Sequence, residues 1–130
     1  MIITEGEIDC LSMYEGIKFV GAQDQVMACS IPSGTSYKWI DECEEFLNQF
    51  ESIIICADND EAGIKFREEA FIKMRDKHSI RWVDLSLHKA NDVNDLLMTK
   101  GKEAVGGLLN CIEAPCHTHG LSADKIERNP

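Results

Sequence analysis

The run Ile53-Ile54-Ile55, inside the segment Ser52 to Ala57, limits the possible folds more than any other stretch of this chain. Successive side chains of a strand point to opposite faces, so an unbroken β-branched run leaves no polar face for water. Such a strand must be covered on both sides, as in a parallel sheet with helices packed above and below. The rest of the sequence supplies the covers. Met1 to Thr4, Val26 to Ile31 and Ile80 to Leu85 read as further strands; Arg81 and Asp84 imply that the last is the more exposed. Pro32-Ser33-Gly34 is a turn signal that stops the second. Between them lie helical patterns. Ile8 to Gly16 is one, with Gly16 placed to end it. Ser36, Trp39, Ile40, Cys43, Phe46, Leu47 and Phe50 form one apolar stripe on a helix of about four turns. A further helix begins near Glu61, with Phe66, Ala70 and Met74 on one face. Two short ones follow, Asp92 to Lys100, stopped by Gly101, and Lys102 to Ile112. Strand and helix alternate four times, the pattern of an α/β domain with about four parallel strands flanked by helices.

The chain has 130 residues, the size of one compact domain, and 44% apolar residues provide its core. We assign residues 1–114 to that domain and 115–130, which lack periodicity, to a loosely ordered tail. Because the chain opens directly on a core strand, we expect a domain excised from a longer protein. No stretch reaches 18 consecutive apolar residues, which excludes a membrane span. Met1 to Glu5 shows neither a basic region nor a cleavable apolar core, so no secretory signal is read there. The six cysteines (Cys10, Cys29, Cys43, Cys56, Cys111 and Cys116) lie mostly within apolar, patterned segments, as free thiols in a reducing cytoplasm do. With 13 basic and 23 acidic residues the net charge is −10. That balance argues against gripping nucleic acid by bulk positive charge and suits a metal binder.

Much of the negative charge is concentrated. Ligands of open α/β sheets bind beyond the carboxyl ends of the strands, and three acidic clusters fall there. Glu5-Gly6-Glu7-Ile8-Asp9 follows the first strand, Asp58-Asn59-Asp60-Glu61 the third, and Asn91-Asp92-Val93-Asn94-Asp95 comes after the fourth. Taken singly, each is an ordinary set of helix caps. Taken together on one edge they repel unless a cation is present, and dense oxygen ligands suit Mg²⁺ or Mn²⁺ with positions left for phosphate. Asp58 and Asp60 project on the same side of an extended segment. Gly63 would let a phosphate approach a helix N-terminus, and Gly6 would free the backbone to turn. The three clusters hold eight acids, without which the chain would be close to neutral.

Glu5-Gly6-Glu7-Ile8-Asp9, Asp58-x-Asp60-x-x-Gly63 and Asn91-Asp92-Val93-Asn94-Asp95, in that order, resemble the three motifs of the Toprim domain. Bacterial-type primases, topoisomerases, recombination mediators and some nucleases share this domain. The opening motif and Ser30-Ile31-Pro32-Ser33-Gly34 are most similar to phage and mitochondrial primase-helicases. The resemblance implies a Rossmann-like fold and nucleotidyl transfer on a single-stranded DNA template from ribonucleoside triphosphates. A missing primase subdomain, with or without a helicase, would complete the machinery. It also implies Glu5 as metal ligand or general acid/base, Asp58 and Asp60 as metal-binding aspartates, and Asp9 and Asp92 as accessory acids. Lys89 matches a basic residue suited to phosphate. Asn94 stands where cellular bacterial primases often carry Asp.

Alternatives keep parts of this pattern. A Toprim nuclease would use the same carboxylates for cleavage, and a non-catalytic Toprim-like module would use them for assembly alone. A phospho-receiver needs acids after the first and third strands, but neither the Asp58/Asp60 pair nor the third cluster. Tyr14 and Tyr37 read as structural. Cys111, Cys116, His117 and His119 are zinc ligands by type, but their spacing fits no standard finger. Lys65, Arg67, Lys73, Arg75, Lys77 and Arg81 are interleaved with Glu68, Glu69 and Asp76, the mark of a solvated helix face.

Overall fold

The isoleucine run becomes strand β3 (Ile53–Cys56), and all four of its residues are buried. The computed structural model describes residues 1–32 and 36–113. In it β3 lies between β1 (Ile2–Thr4) and β4 (Ile80–Val83), with β2 (Ala28–Ser30) outside β1. These four strands are parallel: Ile3 pairs with Cys29 on one side and Ile55 on the other, and Ile54 pairs with Arg81. The proposed tail and the candidate zinc ligands Cys116, His117 and His119 lie outside the described residues.

Alternation along β3 builds two cores. Ile53 and Ile55 face Trp39, Ile40, Leu47, Phe66, Phe71 and Trp82. Ile54 and Cys56 face Met13, Ile17, Val93, Leu96, Val105 and Leu108. The first core is roofed by α2 (Lys38–Glu42), α3 (Glu44–Leu47) and α4 (Glu61–Met74), the second by α1 (Glu7–Phe19) and α5 (Val93–Gly107).

Four details differ from the sequence reading. A fifth strand, β5 (Ile112–Glu113), runs antiparallel on the outer edge of β4, where a helix was expected. A single 3₁₀ turn at Leu108–Asn110 ends the helical stretch and redirects the chain into the sheet. β4 is buried despite its charges, Trp82 to 1% and Val83 to 2% exposed, because Trp82 packs under α4 against Phe71 and Val83 joins the core of α1 and α5. Arg81 turns its guanidinium to Ser52 Oγ (3.2 and 3.3 Å). The long stripe from Ser36 to Phe50 breaks at Cys43 into α2 and α3. Asp41, Glu44 and Glu45 repel at spacings of three and four, which weakens a continuous helix. Phe46 is left 39% exposed, edge-on to Phe50 at 5.2 Å.

Helix α1 does not end at Gly16. It continues to Phe19, and Gly21 (φ 75°) follows, its N–H donating to the Lys18 carbonyl. Gly16 instead lets α1 and α5 touch backbone to backbone. A Cβ there would stand 2.5 Å from Val105 Cγ1 and 2.6 Å from the Gly106 nitrogen. Gly101 does divide α5 as its position implied, with φ 89° and ψ 178° inside the helical stretch.

Gly16→Ala should therefore destabilise the domain by roughly 1–3 kcal/mol, the cost of overpacking. Gly107→Ala, with open space around its Cα, should be neutral or stabilise by up to about 1 kcal/mol, as removing a helical glycine does. Urea unfolding of the two variants checks both expectations.

Candidate metal centre

Parallel strands deliver every strand-to-helix junction to one edge of the sheet. Glu5 follows β1 directly and Asp9 sits in the first turn of α1. Asp58 is two residues beyond β3, Asp60 caps α4, and Asp92 caps α5. One carboxylate oxygen from each of Asp9, Asp58 and Asp92 lies within 4.8 Å of the others. These three acids come from three separate segments, and no pattern local to any one of them would place them together.

Backbone donors hold four of the five acids. Asn94 N–H donates to Asp9 Oδ1 (3.0 Å) and Asp95 N–H to Asp92 Oδ1 (2.7 Å). Asp58 N–H donates to Glu5 Oε1 (2.9 Å), and Gly63 N–H to Asp60 Oδ1 (2.7 Å). Capping and clustering are therefore compatible, because a carboxylate has a second oxygen. Of the five acids expected to hold metal, the structure gathers Asp9, Asp58 and Asp92. Glu5 is tied to the backbone of Asp58, and Asp60 is occupied as a helix cap beside the group. The accessory acids of the sequence reading thus join Asp58 in the group, while Glu5 stays near enough to act on it by its charge.

Residues without charge hold the segments in register, and the sequence reading assigned them no such task. Asn59 N–H donates to the Asn91 carbonyl and Asn59 Nδ2 to the Ala90 carbonyl (3.2 Å), joining the second motif to the third. Ser12 Oγ donates to Asn94 Oδ1 (3.0 Å), joining the first to the third. Ser12 lies one helical turn beyond Asp9, the only trace of this link in the sequence.

Of the two motif glycines, Gly63 alone is required by packing. Gly6 has φ −112° and ψ 153°, a conformation open to any residue. A Cβ on Gly63 would overlap the Asp58 carbonyl oxygen at 2.0 Å, so its bare Cα lets α4 close onto the Asp58 backbone. Lys89 is exposed and left-handed (φ 56°, ψ 28°), ending the 3₁₀ turn Ser86–His88 just before the third motif. Tyr37 stacks on Phe66 (centroids 6.0 Å apart) beside a cleft of about 400 Å³ that Glu5 also borders.

Gathered negative charge perturbs the acids. Burial first, then Glu5, Asp9, Asp92 and Asp60, push Asp58 up to about 7. Burial also raises Asp9, with the Asn94 N–H working against it. The buried Cys56 thiol is pushed up by burial and then by Asp9, Asp58 and Glu5, so it stays protonated. Three convergent carboxylates that resist sharing one negative edge are a donor set for a hard divalent cation, and the residues present fit Mg²⁺ or Mn²⁺.

Comparison with known proteins agrees with this architecture. A family model described as Toprim-like matches residues 2–97. The chain belongs to the Toprim-like family. Among curated proteins it is 33% identical over 121 residues to the Twinkle homolog protein, chloroplastic/mitochondrial, of Arabidopsis thaliana, and 32% identical to the Primase homolog protein of the same plant. Each match covers 81% of this chain but only 17% and 36% of those relatives, so the Toprim-like chain spans a minor part of either. The primase fragment of the bacteriophage T7 primase-helicase superposes with a TM-score of 0.64 at 27% identity, over 84% of this chain and 42% of that one. A second T7 structure shows primase domains bound to an RNA/DNA hybrid and dTTP beside the lagging-strand DNA polymerase. It superposes with a TM-score of 0.62 at 27% identity, over 82% of this chain and 51% of that one. No helix among the described residues is long and apolar enough to cross a membrane.

The raised Asp58 carboxyl has a stability consequence. Its folded value of about 7 exceeds the ordinary value of 3.8, so between these values the folded state holds a proton that the unfolded state releases. Without metal, this group's contribution is full below about pH 4 and is lost as pH rises through 7. Urea unfolding in EDTA at pH 5 and pH 8 should show that Asp58→Asn gains more stability relative to the parent at pH 8 than at pH 5.

Proposed function

We propose that this Toprim-like domain is the metal-binding catalytic subdomain of a primase, of the primase-helicase type, carrying out nucleotidyl transfer for RNA primer synthesis on a DNA template. The observation that carries this reading is the convergence of Asp9, Asp58 and Asp92 at the carboxyl edge of a parallel sheet. Likeness to the T7 primase fragment and to two plant relatives named for primase or Twinkle supports the choice of reaction.

In this reading Asp9, Asp58 and Asp92 hold Mg²⁺ or Mn²⁺, with Glu5 and Asp60 completing the acidic surround. The bound ion would offset negative charge on the triphosphate of an incoming ribonucleotide and on the departing pyrophosphate. Glu5, oriented by the Asp58 N–H, is assigned to accept the proton from the attacking hydroxyl. Lys89 supplies a cation to phosphate near the third motif. Gly6 is assigned to the phosphate side of the same edge, and Gly63, packed on the Asp58 backbone, shapes that side without meeting phosphate itself. The net charge of −10 leaves the template grip to another subdomain of a longer protein, and the free cysteines suit a reducing, cytoplasm-like compartment.

Titration with Mn²⁺, followed by calorimetry, should show saturable binding at micromolar to millimolar concentrations that Asp58→Asn or Asp92→Asn abolishes. No binding at millimolar metal would leave a non-catalytic Toprim-like module. The chain alone should make little or no primer from ribonucleotides on single-stranded DNA, and robust synthesis would contradict the need for a second subdomain. Incubation with single-stranded DNA and Mn²⁺ should leave the strand intact; cleavage lost in Asp58→Asn would assign the Toprim nuclease reaction instead.

A further inference from the structure

We infer that Ser12 and Asn94 form a clamp between α1 and α5 that positions Asp9 for metal binding; this rests on the metal reading above. Asp9 is the one acid of the triad that reaches the site from α1, and its place depends on how α1 is set against the first turn of α5. Two hydrogen bonds fix that setting, and both converge on Asn94. The Asn94 N–H donates to Asp9 Oδ1 (3.0 Å), and the Asn94 side-chain Oδ1 accepts from Ser12 Oγ (3.0 Å). Ser12 stands three residues beyond Asp9, one turn along the same helix face, so the pair brackets a single residue of α5.

Burial makes the bracket matter. Asp9 and Ser12 are among the few buried polar residues of the domain, at 9% and 3% exposed. A buried hydroxyl left without its partner costs more than the net value of the bond it makes. The hydroxyl therefore holds Asn94 in one rotamer, and with it the α5 turn that presents both the N–H to Asp9 and the Asp92 cap. Beyond the break at Gly101, Gly16 and Gly106 bring the backbones of α1 and the second half of α5 into close approach. The clamp thus couples the first acidic motif to the third, as Asn59 couples the second to the third. Ser12 and Asn94 are positioning residues. Neither needs to touch the ion.

The test is Mn²⁺ affinity of the full chain by calorimetry, beside unfolding in EDTA. Ser12→Ala and Asn94→Ala should each weaken Mn²⁺ binding by about tenfold or more, the usual effect of removing a residue that orients a ligand. The double variant should bind no more weakly than the weaker single one, because the two residues act as one unit. Asn94→Asp, which keeps an acceptor for Ser12, should retain binding within a few-fold. Ser12→Ala with a lower unfolding midpoint but undiminished Mn²⁺ affinity would make Ser12 a packing residue only and overturn the clamp. Additive losses in the double variant would overturn it as well. Failure of the unaltered chain to bind Mn²⁺ would overturn the metal reading, and the clamp with it.

Discussion

The burial of β3 on both faces is the constraint from which the rest of the structure follows. A strand with Ile53 and Ile55 on one side and Ile54 and Cys56 on the other needs two roofs. Helices that roof a parallel sheet must return the chain to the same end before each new strand. Every strand-to-helix junction consequently falls on one edge, and three of those junctions carry the acidic motifs. The site is a product of topology before it is a product of any one side chain.

That edge concentrates charge the isolated segments would keep apart. Asp58 bears most of it, held up to about 7 by burial and by four neighbouring carboxylates. Backbone N–H groups at the helix starts offset part of the repulsion at Asp9, Asp60 and Asp92, in keeping with the partial positive charge of helix N-termini. The same donors fix the direction of each carboxylate. A helix cap and a metal ligand are therefore not competing descriptions of these residues, since one oxygen serves each task. The neutral links through Asn59 and through Ser12 and Asn94 then set the distances between segments that the charges alone would push apart.

How well the fold could be read followed how local its causes were. The buried strand run, the start of α4 at Glu61 and the break at Gly101 depend on a few adjacent residues, and each stands where the pattern placed it. Gly16 looked like a helix terminator because a glycine's freedom is visible in sequence while a facing helix is not; Gly21 was the terminator. Arg81 and Asp84 implied an exposed strand, but Trp82 and Val83 are covered by helices on opposite faces of the sheet, which the strand's own residues do not reveal. The stripe from Ser36 to Phe50 had the right period for one helix, and the acids around Cys43 opposed it.

The sequence alone carries the α/β class, the two-faced central strand and the three acidic motifs, because each rests on periodicity or composition within a short window. It also carried the likeness to the Toprim domain, which is an ordered set of such windows. Which carboxylates meet is a matter of tertiary packing. Asp9, Asp58 and Asp92 are brought within 4.8 Å by the packing of α1 against α5 and by hydrogen bonds between motifs far apart in the chain. Glu5 and Asp60, equally acidic and equally close to the edge in sequence, accept backbone N–H groups as Asp9 and Asp92 do, yet stand outside the triad. Distance between charges is a property of the packed helices, and no local pattern encodes it.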